Sequence, residues 1–275
     1  MIAIRHRETG DVLLEVHADT LAGVDLEGAM LLCADLRGAD LRGAHLRTVD
    51  LCQADLRGAV LDGADLRDAD ATLSTLVGTS FRGARLCDAR FQGLSMGAGA
   101  PAGTDFTGAD LTRTYLNFSN LTGCRFDDAG LRGADLTRCD LTGATMVGAD
   151  LTGANLSTST LANADLSYAM LAGALVNDSD LRRASLRRAE LATATLSGIL
   201  AEAADFSGAH LSRTVFARCR DLHRARGLDA LEYMSPSCVD LETLRECLAG
   251  LPDEFLVGMG VERRSVAGLA GLAPA

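Results

Sequence analysis

The chain has 275 residues, 48% of them hydrophobic, only 4% aromatic and none Trp, and its 37 acidic residues outnumber 26 basic ones for a net charge of -11. That apolar content allows a substantial core, but one of small and medium aliphatic side chains, as in a solenoid more than a compact globule. The acidity, with Arg as the sole base and no Lys, excludes direct binding to nucleic acid or to anionic membranes as an expected role.

The opening MIAIRHRETG has no apolar run of signal-peptide length, and no stretch approaches the length of a membrane span, so a cytoplasmic protein is expected. Ile2 and Ile4, then Val12, Leu14 and Val16, alternate around the polar turn ETGD. This predicts a β-hairpin over residues 1–18 that caps the element after it.

From Leu21, steps of five reach Phe216 through forty positions in one register. Thirty-nine are apolar, mostly Leu, and the fortieth is Pro101. Two residues before each, the side chain is nearly always Ala, Ser, Thr or Cys, with Leu94 and Ile199 the bulky exceptions. Neither a helix nor a strand repeats every five residues, whereas five residues with a turn make one side of a small polygon. Four sides close a square coil of twenty residues, and stacked coils pair about 4.8 Å apart like strands. Residues 19–221 are thus expected to form about ten coils, a rod on the order of 45–50 Å long. The units ADLRG, ADLTG, ANLST and ADLSY resemble the pentapeptide-repeat family motif A(D/N)Lxx. The resemblance implies an all-β solenoid, a right-handed quadrilateral β-helix; the handedness comes from the family and not from the spacing.

The stretch LSMGAGAPAGTD, residues 94–105, is the one break in composition. It reads either as an irregular coil side or as a projecting loop. Because Phe106 resumes the register, any excursion holds a multiple of five residues.

After Cys219 the five-residue pattern ends. LHRARGLDALEY and DLETLRECLAGLPDEFLVGMGV carry helical apolar spacing, with Gly250 before Pro252 at a first helical turn, so residues 222–275 are expected to be a helical C-terminal cap. The segments SPSCVDLETL and LPDEFLVGMGV also resemble a segment that follows the repeats in multidomain bacterial pentapeptide proteins. That resemblance implies either a lost effector domain or a tail with its own use.

Chemistry needs unlike groups converging in a cleft, and the pattern offers none. No CxxC occurs, Cys124, Cys139 and Cys219 replace Ala at the small position, and the five His are scattered without ligand spacing. No enzyme, metal or cofactor is expected.

Binding is the alternative. Some members of the family resemble B-DNA in width and charge and bind bacterial type II topoisomerases in place of DNA, which implies DNA gyrase or topoisomerase IV as a partner and protection from inhibitors. The candidate face is Asp140, Asp150, Asp165, Asp178 and Asp180, with no base between Arg138 and Arg182, joined by Leu94, Met96 and Pro101 of the 94–105 stretch. Against it, Arg42, Asp62 and Arg82 alternate at stacking distance, Arg182, Arg183, Arg187 and Arg188 adjoin the acidic coils, and the five Asp spread over all four sides. The competing reading is a scaffold or adaptor whose tail, around Pro252, Phe255 and Leu256, docks a partner or a second copy through the end cap. It includes the repeat part of a signalling protein without its effector.

Overall fold

The computed structural model describes residues 1–95 and 103–261. Each five-residue unit is a tight turn plus one extended residue. In the turn, the carbonyl of the central residue accepts the N–H three residues on, as Leu26 does from Ala29 at 3.0 Å and Leu131 from Ala134 at 3.0 Å. The third turn residue has positive φ, +66° at Gly28 and +62° at Gly133, the signature of a type II turn. The next residue but one is extended and bridges in parallel to the coils on either side, as in Asp25, His45 and Asp65.

These bridges define four faces, each a ladder with a spacing of twenty residues. Face 1 runs from Asp25 through Asp65, Asp150 and Glu190; face 2 from Met30 through Asp70, Tyr115 and Leu175. Face 3 carries Asp35, Asp55, Asp140 and Asp180, and face 4 carries Asp40, Asp105, Asp165 and Asp205. Central residues such as Leu41, Leu111 and Leu151 are wholly buried in the tube, as are small residues such as Ala44 and Ala154. Where the small residue is Ser or Thr, its hydroxyl donates to the carbonyl of a central residue one coil below, Ser74 to Leu51 and Ser179 to Leu156, both at 2.8 Å. Buried hydroxyls are thereby satisfied. Phe81, Phe106 and Phe126 stack face to face with centroids 5.0 Å apart, close to the spacing of the coils themselves.

One coil is longer. Thr75 bridges Ser95 twenty residues on, but Ser80 bridges Asp105, Arg85 bridges Asp110 and Arg90 bridges Tyr115, twenty-five on. Spacing returns to twenty at Asp105 and Arg125. The step from Ser95 to Asp105 therefore holds five residues beyond what the square needs. Met96 and Pro101 lie outside the described residues.

At the N-terminus, β1 (Ile2–His6) and β2 (Val12–Val16) form an antiparallel hairpin, and β1 also pairs with β3 (Ala34–Asp35) of the first coil. Ile4 and Val16 are buried beneath it. Towards the other end, β4 (Leu175–Asn177), β5 (Thr195–Ser197) and β7 (Val215–Ala217) align on face 2, and β6 (His210–Ser212) lies on face 1.

The C-terminal expectation needs two corrections. The coil winds on beyond Cys219, because Leu200 bridges Arg220, Asp205 bridges Arg226, His210 pairs with Glu232 and Val215 with Cys238. Each side of this last turn takes six residues, which a count by fives cannot follow. Nor is LHRARGLDALEY an α-helix: it forms 3-10 turns at Leu222–Arg224 and Leu228–Ala230 and enters β8 (Glu232–Ser235), followed by β9 (Cys238–Val239). Helix α1 (Leu241–Cys247) follows, N-capped by Asp240, whose carboxylate accepts from the Thr243 N–H at 2.9 Å. Helix α2 (Asp253–Gly258) buries Phe255 edge-on against Phe216, with centroids 5.8 Å apart.

Candidate protein-interaction surface

Outward positions repeat like the core, so the surface consists of columns. The Asp before each central residue serves its own turn, since its carboxylate accepts the N–H two residues on, Asp140 from Thr142 and Asp150 from Thr152, both at 3.0 Å. Asn serves equally well, as Asn155 accepts from Ser157 at 3.1 Å. This accounts for the D/N of the motif without any partner.

Many of these carboxylates also carry an Arg. Arg37, Arg57, Arg67 and Arg182 each reach the Asp two residues before them. The Arg182 hydrogen bond holds the Asp180 carboxyl below the usual aspartate range, and Arg42 lowers that of Asp40 to about 2. The paired guanidiniums are more than a quarter exposed, so each pair contributes little to stability.

The predicted acidic residues do not converge. Asp150 lies on face 1, Asp140 and Asp180 on face 3, Asp165 on face 4, and Asp178 sits at a corner with φ +52°. Arg132 pairs with Asp150 at 3.2 Å, Arg182 with Asp180 at 2.6 Å, and Arg218 approaches Asp178 at 3.9 Å. Asp165 is engaged by Ser167, whose N–H and hydroxyl both reach it.

Four other candidates belong to the core or the cap. Leu94 is buried at a small-residue position, its N–H bonded to Ser119 Oγ at 3.0 Å, so it belongs to the core. Phe255 and Leu256 are buried in the cap, and Pro252 precedes α2 as its N-cap residue. In the single chain they close the tube end, and the exposed apolar residue of that helix is Val257.

Among the described residues no group of His, Cys, Asp and Glu is arranged to hold a metal. Burial raises the Cys52 thiol to about 12 and that of Cys87 to about 11, which leaves neither as a thiolate near neutral pH. His210 is held between neighbours on its ladder, Nδ1 2.5 Å from Glu190 Oε1 and Nε2 3.0 Å from Glu232 Oε2. It ties the last regular coil to β8.

Sequence reasoning missed the apolar side of the rod. Face 2 and its corner expose Met30, Leu32, Leu73, Tyr115, Phe118 and Leu175. The signal was present in the outward positions of the repeat, once units are grouped by twenty, and by twenty-five across the long coil.

The pentapeptide-repeat profile matches eight copies, over residues 20–47, 54–93, 102–128, 119–157 and 159–198. Comparison with curated protein sequences gave no match. Among solved structures, HetL, a pentapeptide repeat protein involved in heterocyst differentiation regulation in the cyanobacterium Nostoc, is 29% identical, with 76% of this chain and 85% of HetL covered and a TM-score of 0.28. Full-length QnrB1, a plasmid-mediated fluoroquinolone resistance protein, is 17% identical over 70% of this chain and 93% of its own, with a TM-score of 0.34. A pentapeptide repeat protein of the Arabidopsis thaliana thylakoid lumen is 28% identical over 48% of this chain and 68% of its own, with a TM-score of 0.23. At such TM-scores these likenesses carry no functional argument, but the family profile spans more than half of the sequence: the chain belongs to the pentapeptide-repeat family, whose members fold as right-handed quadrilateral β-helices.

Proposed function

We propose that this protein is a non-enzymatic binding rod that engages a type II topoisomerase, DNA gyrase or topoisomerase IV, in place of DNA and shields it from inhibitors. The supporting observation is the run of coils from Asp140 to Asp180, acidic and free of Arg, on a chain of net charge -11. A groove shaped for phosphates attracts other anions at suitable spacing. Ion pairing with Arg132 and Arg182 draws on Asp150 and Asp180, so the reading rests most heavily on Asp140, an exposed carboxylate with no ion pair among the described residues. Titration of the protein into a gyrase supercoiling reaction, with and without a quinolone, tests it. Competition with DNA and rescue of supercoiling are expected, and Asp140→Asn, which keeps the turn acceptor, should weaken both. Absence of any competition with DNA for the enzyme would sink the proposal.

A second reading, a scaffold or adaptor, is favoured by the exposed apolar residues of face 2. Under it the protein leaves supercoiling unchanged.

A further inference from the structure

Eight large apolar residues of residues 19–221 are substantially exposed among those described, and six of them belong to face 2 and its corner; the other two are Tyr168 and Met170. The six extend from Met30 to Leu175, seven coil spacings or about 34 Å at about 4.8 Å each.

Two of them are costly for the fold. Leu73 and Phe118 sit at turn positions with φ +61°, where Gly is the unstrained choice, yet they are 55% and 58% exposed. A bulky side chain in the left-handed region is disfavoured, and burial does not offset that here. They share one corner column, and Leu73 leans over Gly93 between them: a Cβ on Gly93 would lie 2.8 Å from a Leu73 methyl carbon. Arg138 continues the column with its guanidinium 5.3 Å from the Phe118 ring centroid, and among the described residues it pairs with no carboxylate.

We infer that face 2 is a lateral self-association surface on which a second copy of this chain packs side by side. Both signs of charge occur along it, Asp50, Asp70, Arg90 and Asp135 on the ladder and Arg138 at its corner, with Arg90 3.7 Å from Asp70. A two-fold axis lying between the two faces, across the rods at the level of Tyr115, sets Arg90 of each copy against Asp135 of the other, the self-complementarity an isologous contact requires. A partner of strong single charge finds no matching field there. Flat sheet faces pack about 10 Å apart, and a strip of this length and roughly 12 Å width buries on the order of 1,000 Å² over two copies, the lower end of specific interfaces. The inference is independent of the topoisomerase reading, which concerns the acidic coils.

Sedimentation velocity of the full chain over a concentration series tests it. A reversible monomer–dimer equilibrium is expected. In the double variant Leu73→Gly with Phe118→Gly, association should weaken at least tenfold while the melting temperature stays equal or rises, since Gly suits both turns. Asn117→Cys, whose position lies between Tyr115 and Phe118, should give a covalent dimer on mild oxidation in excess of the parent chain. Three results would overturn it: a monomer at every concentration, association unchanged in the double variant, or a dimer lost with Val257→Asp but not with the double variant, which would assign association to the end cap.

Discussion

The regular coils and the closing coil both seal one turn of the tube, with different sequences. In the former each side is five residues, with a buried aliphatic centre and a left-handed corner open to solvent; a Cβ on Gly153 would meet nothing within 4 Å. In the latter, from Arg220 to Cys238, each side takes six residues, and a Cβ on Gly227 would fall 2.5 Å from the Ser207 backbone nitrogen. The parallel ladder is indifferent to this change, since one bridge per side suffices to seat a coil. The five-residue period is a property of the tight turn and its inward Leu, and the ladder accepts other ways of reaching the next bridge.

A regular coil is most vulnerable from within. Leu151→Asp places a carboxylate where the native side chain is wholly buried; a loss of about 4 kcal/mol or more is expected, and a melting transition that survives unchanged would show the inward register to be wrong. Gly227→Ala comes next. Its Cβ collides with backbone on the coil beneath, so about 3 kcal/mol and faster amide exchange through residues 222–259 are expected, a pattern exchange mass spectrometry resolves. Gly153→Ala should cost only about 1 kcal/mol, the conformational penalty of φ +66° alone, read from chemical denaturation. Equal losses in the two glycine variants would erase the distinction between open and filled corners.

The smallest effect is electrostatic. The Arg57 hydrogen bond holds the Asp55 carboxyl below the usual 3.8. A lowered folded-state value means that the contribution is full above about pH 4 and disappears as pH falls through the lowered value. Asp55→Asn, which keeps the turn acceptor, should therefore change neutral stability by less than about 1 kcal/mol and flatten the acid limb of a pH–melting profile. A large loss at neutral pH would make the charge, and not the acceptor, the reason for Asp in the motif.

Much of this architecture was legible in the sequence because its strongest determinants are local. Central Leu and small-residue positions announce the coil, and alternation over residues 1–18 announces the hairpin. The closing coil escaped because Leu222 and Leu228 stand six apart, and Leu228 and Leu231 imitate a helical stripe. Phe255 and Leu256 look like surface anchors until the tube end that they fill is known. The acidic candidates suffered from a different ambiguity: an Asp that accepts its own turn N–H and an Asp displayed to a partner are spelled alike. Face 2 was obscured because its apolar residues are twenty and more positions apart and become neighbours only when the chain is wound.

The long step between Ser95 and Asp105 bears on how such a chain can grow. A duplication of twenty residues adds a coil and lengthens the rod by one spacing, leaving every older ladder contact in place. A gain of a single unit cannot be absorbed in that way, because it would rotate all later coils by a quarter turn and exchange one face for the next. Here the extra five residues are confined to one side, and Asp105, Asp110 and Tyr115 resume their ladders unrotated. A gain of length at that one side therefore leaves the ladders above and below it in place, as a whole added coil of four units would.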